Sequence, residues 1–225
     1  MDYLVFGLLA STLFIGYIIY RRGRQQRRSD YINRFDFHPA VINKFREVRP
    51  GLLPEQEELV FAALRDYFHL CNRAGRRMVS MPSQVVDDAW HAFILFTRGY
   101  HRFCRRAFGR FLHHTPAEAM SSPTRAGEGI KRAWRLACVH DGIDPREPAR
   151  LPLLFSIDAD LKIENGFYYV PDCRAIKRDN GSGMPYCGSH VGCASGCGGD
   201  SGGSSDGGIF GGDGDGGGGG GCGGD

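Results

Sequence analysis

The chain has 225 residues and a formal net charge of +3, from 28 Lys and Arg against 25 Asp and Glu. This length allows one core with terminal extensions, and no basic stretch with interleaved aromatics marks a nucleic-acid interface, so nucleic acid is not an expected partner. The eight cysteines would indicate disulfides in a secreted chain, but in a cytoplasmic domain they indicate reduced thiols.

The N-terminal segment is an apolar run from Tyr3 to Tyr20 without a charged side chain. As a helix it would reach about 27 Å, which is enough to cross the hydrocarbon core of a bilayer. Its only preceding charge is Asp2, and arginines follow it, so the pattern favours an uncleaved transmembrane anchor at residues 1–20 over a signal peptide.

The charge asymmetry around this run also predicts a location. The positive-inside rule predicts a single-pass protein of the bacterial inner (plasma) membrane, with its N-terminus outside and its main domain in the cytoplasm. A basic juxtamembrane linker at residues 21–36 is expected to contact anionic lipid headgroups. The arginines concerned are Arg21, Arg22, Arg24, Arg27 and Arg28.

Residues 37–178 are predicted to form a compact, mainly α domain. One helix is expected to begin at His38-Pro39, and a second to begin at Pro54 and end near Gly75. Apolar residues at helical spacing support both helices.

The following helices are predicted in the same way. A single helix is expected from near Ser83 to about Phe108, with Gly109 ending it. Thr115-Pro116 has the form of a helix start and predicts a short helix there. Residues 124–140 are expected to form the last helix.

The pattern then changes from helical to extended and finally to low complexity. Residues 161–164 and 167–170 flank Asn165-Gly166, which predicts a β-hairpin with a type I′ turn. Residues 179–225 are rich in glycine, serine and aspartate, which predicts a disordered tail because so little apolar surface is available for burial.

The residues that carry chemistry are concentrated at the start of the long third helix and just after its end. Asp87 and Asp88 lie four and three positions before His91, so on a helix either carboxylate shares a face with the imidazole. This is the spacing of a metal half-site, and a divalent transition metal such as zinc is the expected ion. Asp88, His91 and His114 are the candidate ligands, provided that the segment after the helix folds back.

Supporting roles are predicted for Asp87, Trp90, Tyr100 and Cys104, which lie near these candidates in the sequence. The alternative interpretation is structural: acids are favoured in the first turn of any helix, and a half-buried histidine commonly bonds to a neighbouring carboxylate. Both interpretations remain open at the level of the sequence.

The tail contains a second, weaker candidate for metal binding or thiol oxidation. Its residues are Cys187, His190, Cys193 and Cys197. Their spacing does not match the paired arrangement that zinc knuckles use, so an inert tail is favoured. No nucleophile elbow, phosphate-binding glycine loop or His-Glu-x-x-His motif is present, and the catalytic residues of any enzyme are unknown.

Asp88-Ala-Trp90-His91, then Tyr100 and Cys104, then Leu112-His113-His114, resemble the signature of the glycine-rich domain-containing protein family of plants and its bacterial relatives. The resemblance covers about residues 50–145, with the glycine-rich C-terminus as a further similarity. It implies that Asp88, Trp90, His91, Tyr100, Cys104 and His114 are family positions. The family has no settled activity, and the resemblance implies an association of its plant members with stress, development and RNA binding.

We therefore expect a membrane-anchored protein whose cytoplasmic helical domain acts as an interaction or scaffold module, with an unknown protein partner, and holds a metal through the Asp/His cluster. The alternative is a metal-dependent enzyme that uses the same cluster with an open coordination position. RNA binding through the arginines is the third hypothesis.

Overall fold

In the computed structural model, the described residues are 2–114, 123–171 and 186–187, without the side chains of residues 2–5, 8, 123–126 and 186–187. The described chain is mainly helical. Its elements are α1 (Asp2–Asn33), α2 (Pro39–Val48), α3 (Pro54–Ala74), α4 (Gln84–Leu95), α5 (Thr97–Ala107), α6 (Pro123–His140), α7 (Leu153–Asp160), β1 (Tyr169–Val170) and β2 (Tyr186–Cys187). The predicted short helix at Thr115-Pro116 lies outside the described residues, and so does the predicted tail apart from the backbone of 186–187.

Local signals explain where α2 and α3 begin and end. The side chain of His38 caps α2, because its Nδ1 accepts a hydrogen bond from the backbone N–H of Ala40 at 3.1 Å. Pro54 begins α3, where a missing N–H costs nothing, and Gly75 ends it with a positive φ of 66°. Both helices agree with the boundaries predicted from the sequence.

The expected single helix from Ser83 to Phe108 is wrong, because the structure divides it at Phe96. The break lets α5 fold back against α4. Trp90 and Tyr100 would lie about 15 Å apart along a continuous helix. Instead, Trp90 Nε1 donates a hydrogen bond to Tyr100 Oη at 3.1 Å.

The predicted β-hairpin is also wrong. Residues 153–160 form α7, an element that the sequence did not predict, and the chain turns after it with Asn165 at a φ of 60°. The Asn-Gly pair therefore forms a turn that follows a helix. β1 pairs in parallel with β2, an arrangement that a two-residue hairpin cannot connect.

A buried carboxylate joins α7 to α4. Asp158, which is 1% exposed, accepts hydrogen bonds from Ser83 Oγ at 2.7 Å and from the backbone N–H of Gln84 at 2.7 Å. It also accepts from the N–H groups of Val85 and Phe167. Because the first N–H groups of a helix have no partner within it, Asp158 stabilises the start of α4 and its orientation.

The core surrounds α3, which packs against α1, α4, α6 and α7. Phe68 on α3 is fully buried and contacts the rings of Trp90, Phe93 and Phe103. A core of this kind holds α4 and α5 at a fixed separation, because interiors this densely packed tolerate little displacement.

The helix α1 has two different halves. Its C-terminal end belongs to the core, where Ile32 is fully buried, so α1 continues through most of the residues expected to form a linker. Its N-terminal half exposes apolar side chains, among them Leu9 and Leu13. Within the described residues no helix is long and apolar enough to cross a membrane, and the predicted transmembrane span is therefore unsupported.

Candidate metal centre

Two parts of the chain supply the candidate metal ligands. Asp87 and His91 are four residues apart on α4 and project from the same face of that helix. His114 comes from the segment that follows α5 and returns towards α4. Their ligand atoms, one from each residue, all lie within 4.8 Å of one another.

The three side chains contact one another directly. His114 Nε2 lies 2.9 Å from Asp87 Oδ1, and His91 Nδ1 lies 3.8 Å from Asp87 Oδ2. The rings of His91 and His114 meet edge to face, with centroids 4.4 Å apart. The carboxylate therefore contacts both imidazoles, an arrangement that suits either a shared proton or a shared cation.

A relay of hydrogen bonds fixes the segment that carries His114. Trp90 Nε1 donates to Tyr100 Oη, and Tyr100 Oη donates to the carbonyl oxygen of Leu112 at 2.5 Å. The indole of Trp90 also packs edge to face on the His114 ring, with centroids 4.6 Å apart. Trp90 and Tyr100 thus position His114 without being ligands themselves.

Asp88 is not part of this cluster. It lies one residue further round α4, about 100° from Asp87, and faces α2. There its Oδ2 accepts a hydrogen bond from Arg49 Nε at 2.7 Å and forms an ion pair with Arg49 Nη2, also at 2.7 Å. The sequence assigned Asp88 as the ligand and Asp87 as its support, whereas the structure places Asp87 in contact with both imidazoles.

The cluster is partly open to solvent. The His91 side chain is 49% exposed, whereas Asp87 is 20% and His114 is 13% exposed. An ion held here would have protein ligands on its inner side, and its outer side would face the solvent beside His91.

The neighbouring thiol and phenol groups stay protonated. Burial raises the pKa of Cys104 and of Tyr100, and it raises the pKa of Cys71 to about 12. A thiol is a metal ligand or nucleophile only as the thiolate, so Cys104 contributes packing and a contact with Tyr100. The tail residues His190, Cys193 and Cys197 lie outside the described residues, as does the side chain of Cys187.

Two functional partners were missed by sequence reasoning. Arg49 lies 39 positions before Asp88, and nothing local in the sequence indicates that they pair. The carbonyl of Leu112 is a backbone group, which no residue-type pattern could reveal. The aromatic pair Trp90 and Tyr100 was visible in the sequence, but its role depends on the break at Phe96.

A family model described as UCP032817-like matches residues 27–191, which is well over half of the chain and includes the whole cluster. The resemblance to the glycine-rich domain-containing proteins is therefore wrong, because the short motifs that carried it occur within a different family. No curated protein and no solved structure matches the chain.

Proposed function

We propose that this chain, which belongs to the uncharacterised UCP032817-like family, holds a divalent transition metal at Asp87, His91 and His114 within a helical interaction domain. The observation that carries the proposal is the convergence of one carboxylate and two imidazoles from two separate segments. An ion bound there would join α4 to residues 109–114. It would thereby fix the surface that includes the exposed side chains of Phe111 and His113.

The spacing of the donors favours a zinc-type ion. Tetrahedral zinc with bonds of about 2.0–2.1 Å needs ligand atoms about 3.3 Å apart. One ligand atom from each of the three residues already lies within 4.8 Å of the others, so small side-chain movements would bring the donors to that spacing. His91, as the most exposed of the three, is the side chain that adjusts on binding.

The test is cobalt(II) or zinc titration of the full chain after removal of metal with a chelator. We expect about one tight ion per chain, lost on His91→Gln and on His114→Gln. His113→Gln is the matched control, because His113 is the adjacent exposed imidazole and makes no contact with Asp87 in the described structure. Equal binding by all three variants would contradict the proposal.

Cobalt also separates this site from the tail. A cobalt ion bound by thiolates shows an intense sulfur-to-metal charge-transfer band, which a carboxylate and imidazole set lacks. Binding that carries this band and persists in His114→Gln would place the metal on the tail cysteines instead.

A metal-dependent enzyme is the second candidate. The cluster offers three protein ligands, and catalytic zinc sites have three where structural sites have four. The exposure of His91 leaves room for a water molecule in the fourth position. Azide added to the cobalt-loaded chain should change its visible spectrum if that position exchanges, whereas an unchanged spectrum would contradict the enzyme candidate.

We also propose that the N-terminal half of α1 attaches the protein to a membrane. Support comes from its apolar side chains, since Leu9 is 56% and Leu13 is 75% exposed, and from the arginines that follow. The full chain should float with phospholipid vesicles, and the double variant Leu9→Asp, Leu13→Asp should reduce the fraction that floats. Val139→Asp, at a residue on α6 that is 56% exposed, is the control. The inner-membrane location and the outside N-terminus remain predictions.

A further inference from the structure

A cleft lined by arginines lies at the junction of α1, α3 and the segment after α5. Arg24 and Arg28 come from α1, Arg76 follows α3, and Arg110 follows α5. The cleft has a volume of about 220 Å³, and none of the described residues that line it is acidic. Since one water molecule occupies about 30 Å³, this space accommodates a polyatomic anion together with water.

A glycine allows two of the guanidinium groups to come close together. Gly109 ends α5 with a φ of 69°, and a Cβ built on it would lie 2.0 Å from Arg28 Nη2 and 3.0 Å from Arg24 Nη2. These two nitrogen atoms are therefore about 5 Å apart at most, a separation at which like charges repel appreciably. Any side chain at position 109 would push them away from the cleft.

The positive charges of this cluster lack a carboxylate partner in the part of the chain that the structure describes. Among the described residues no carboxylate forms an ion pair with Arg24, Arg28, Arg76 or Arg110. Arg110 instead donates hydrogen bonds to the carbonyl oxygens of Gly75 and Phe111, which hold its side chain over the cleft. Burial, with the charges of Arg24 and Arg110, lowers the pKa of Arg28. Arginine nevertheless stays charged in proteins, so the repulsion persists.

Asn72, which also lines the cleft, ties α3 to α1. Asn72 is 8% exposed, and its Nδ2 donates to the carbonyl of Gln25 and to Ser29 Oγ on α1. Its Oδ1 is buried without a hydrogen-bond partner within the described structure.

A second cleft continues the first along α1. It shares Arg24, Arg28 and Gly109, adds Arg27, Arg105 and Arg106, and has a volume of about 300 Å³. Together the two clefts form one basic surface beside the helix whose first half is apolar. We call the two adjoining clefts together the arginine cleft.

We propose that the arginine cleft binds a phosphate group through Arg24, Arg28 and Arg110. Guanidinium groups bind phosphate in a bidentate manner, and several of them around one anion give charge-assisted hydrogen bonds with defined geometry. The phosphate belongs either to a small soluble compound or to the headgroup of an anionic lipid. The site is independent of the metal cluster, because it shares no residue with it.

The first experiment measures the thermal stability of the full chain with inorganic pyrophosphate. Binding to the folded state should raise the unfolding temperature in a concentration-dependent way. Arg28→Gln and Arg110→Gln should each weaken the apparent affinity by about tenfold or more, as expected for loss of a bidentate contact. Arg98→Gln, an exposed arginine of α5 outside the cleft, is the control and should change it by less than about twofold.

The charge-removing variants also show whether a lost response reflects misfolding. Without phosphate, Arg28→Gln relieves repulsion and should unfold at the same or a higher temperature than the parent chain. With pyrophosphate the order should reverse. Arg28→Lys, which keeps the charge but loses the bidentate geometry, should retain only part of the response.

The second arm uses vesicles of phosphatidylcholine with and without phosphatidylglycerol. If the ligand is a lipid headgroup, phosphatidylglycerol should strengthen vesicle binding and Arg28→Gln should remove that gain, leaving binding to neutral vesicles unchanged. If the ligand is a soluble compound, pyrophosphate should raise the unfolding temperature, and phosphatidylglycerol should not strengthen vesicle binding. Failure of both arms to depend on Arg28 and Arg110 would overturn the proposal. The proposal would also be overturned if Arg28 and Arg110 were needed only for binding of a single-stranded RNA, added as a third probe, and for neither phosphate probe.

Discussion

Among the residues that the structure describes, two clusters combine one aspartate with two histidines, and the ligand atoms converge in only one of them. In the first, Asp87 contacts both His91 and His114, and all three ligand atoms converge within 4.8 Å. In the second, His140 Nε2 lies 3.2 Å from Asp66 Oδ1, but the His69 ring stacks on His140 and its Nε2 contacts Asn33 Oδ1 at 2.6 Å. The same residue types therefore give a chelating arrangement in one place and a stacked pair in the other.

The charges around the two clusters differ as well. In the second cluster the positive charge of Arg73 contributes to lowering the pKa of His69, after burial and His140, and it acts on His140 in the same direction. In the first, Arg49 is paired with Asp88, the residue next to Asp87. Asp66 is already paired with the His140 imidazole. Composition alone would not separate the two clusters, whereas ring direction does.

The largest effect should come from the carboxylate that orients α4. Asp158→Ala would leave Ser83 Oγ and three backbone N–H groups without their acceptor. We expect a loss of about 3–4 kcal/mol in the free energy of unfolding. Asp66→Ala, at the second cluster, should cost less than about 1 kcal/mol. Urea denaturation followed by circular dichroism compares them, and equal losses would contradict the role of Asp158 in holding α4.

The second-largest effect should be on zinc affinity, which should depend on the first cluster and not on the second. Asp87→Asn removes one of three ligands and should weaken zinc binding by about 100-fold or more, because even the loss of an outer-shell partner costs 10–100-fold. Asp66→Asn should change it by less than about twofold. Calorimetric titration of the full chain with zinc measures both, and a matching loss in the two variants would show that the ion binds elsewhere.

The relay through Tyr100 should have an intermediate effect. Tyr100→Phe leaves the indole N–H of Trp90 and the carbonyl of Leu112 without their buried partner, at a cost of about 2 kcal/mol in stability. The segment carrying His114 would also loosen, so zinc affinity should fall by about tenfold. Metal binding that is unchanged in a folded Tyr100→Phe chain would show that His114 is positioned by packing alone.

The smallest effect is a pH dependence at the second cluster. The hydrogen bond that His140 Nε2 donates to Asp66 raises the pKa of His140, against the effect of burial. The stability it adds is fully present below the unfolded pKa of about 6.5 and is lost as pH rises through the raised folded value. His140→Gln should therefore cost about 0.5 kcal/mol near pH 5.5 and almost nothing near pH 8.5, since the pair is partly exposed.

The titration of His69 changes the stability with pH in the opposite direction, so the measurement must separate the two histidines. Burial and the nearby His140 lower its pKa, so its own stabilising effect is present above about pH 6.5 and is lost as the pH falls. Because removing His140 also relieves its effect on His69, the difference between His140→Gln and its parent isolates the first effect when both chains carry His69→Gln and are measured across the same pH range. A difference that grows towards high pH would contradict a raised pKa for His140.

Helix boundaries could be read from the sequence because their causes are local. Pro54 and Gly75 act through their own backbone preferences, and Gly142, which follows α6, adopts a φ of 68° for the same reason. The division at Phe96 and the helix α7 depend on packing partners that are distant in sequence. The strong Asn165-Gly166 signal was interpreted as a hairpin, since a turn residue indicates a reversal without indicating what it connects.

The candidate site shows the same division between local and distant causes. The i to i+4 relation of Asp87 and His91 follows from helical geometry, so this half of the cluster could be expected. Which of two adjacent aspartates faces His114 depends on Arg49 drawing Asp88 towards α2, and the sequence carries no sign of that. The position of His114 depends on the hydrogen bonds through Tyr100, which exist only because α5 folds back.

Because the chain breaks at Phe96, the cluster depends on how α4 and α5 pack against each other and not on one helix alone. As one rod, residues 84–107 would extend about 36 Å and keep each polar side chain at its own level. Folded in two, they enclose the phenol of Tyr100, whose hydrogen bond to the carbonyl of Leu112 fixes the segment that carries His114. A peptide copied from α4 would carry two of the three donors, yet it would lack the hinge that assembles them.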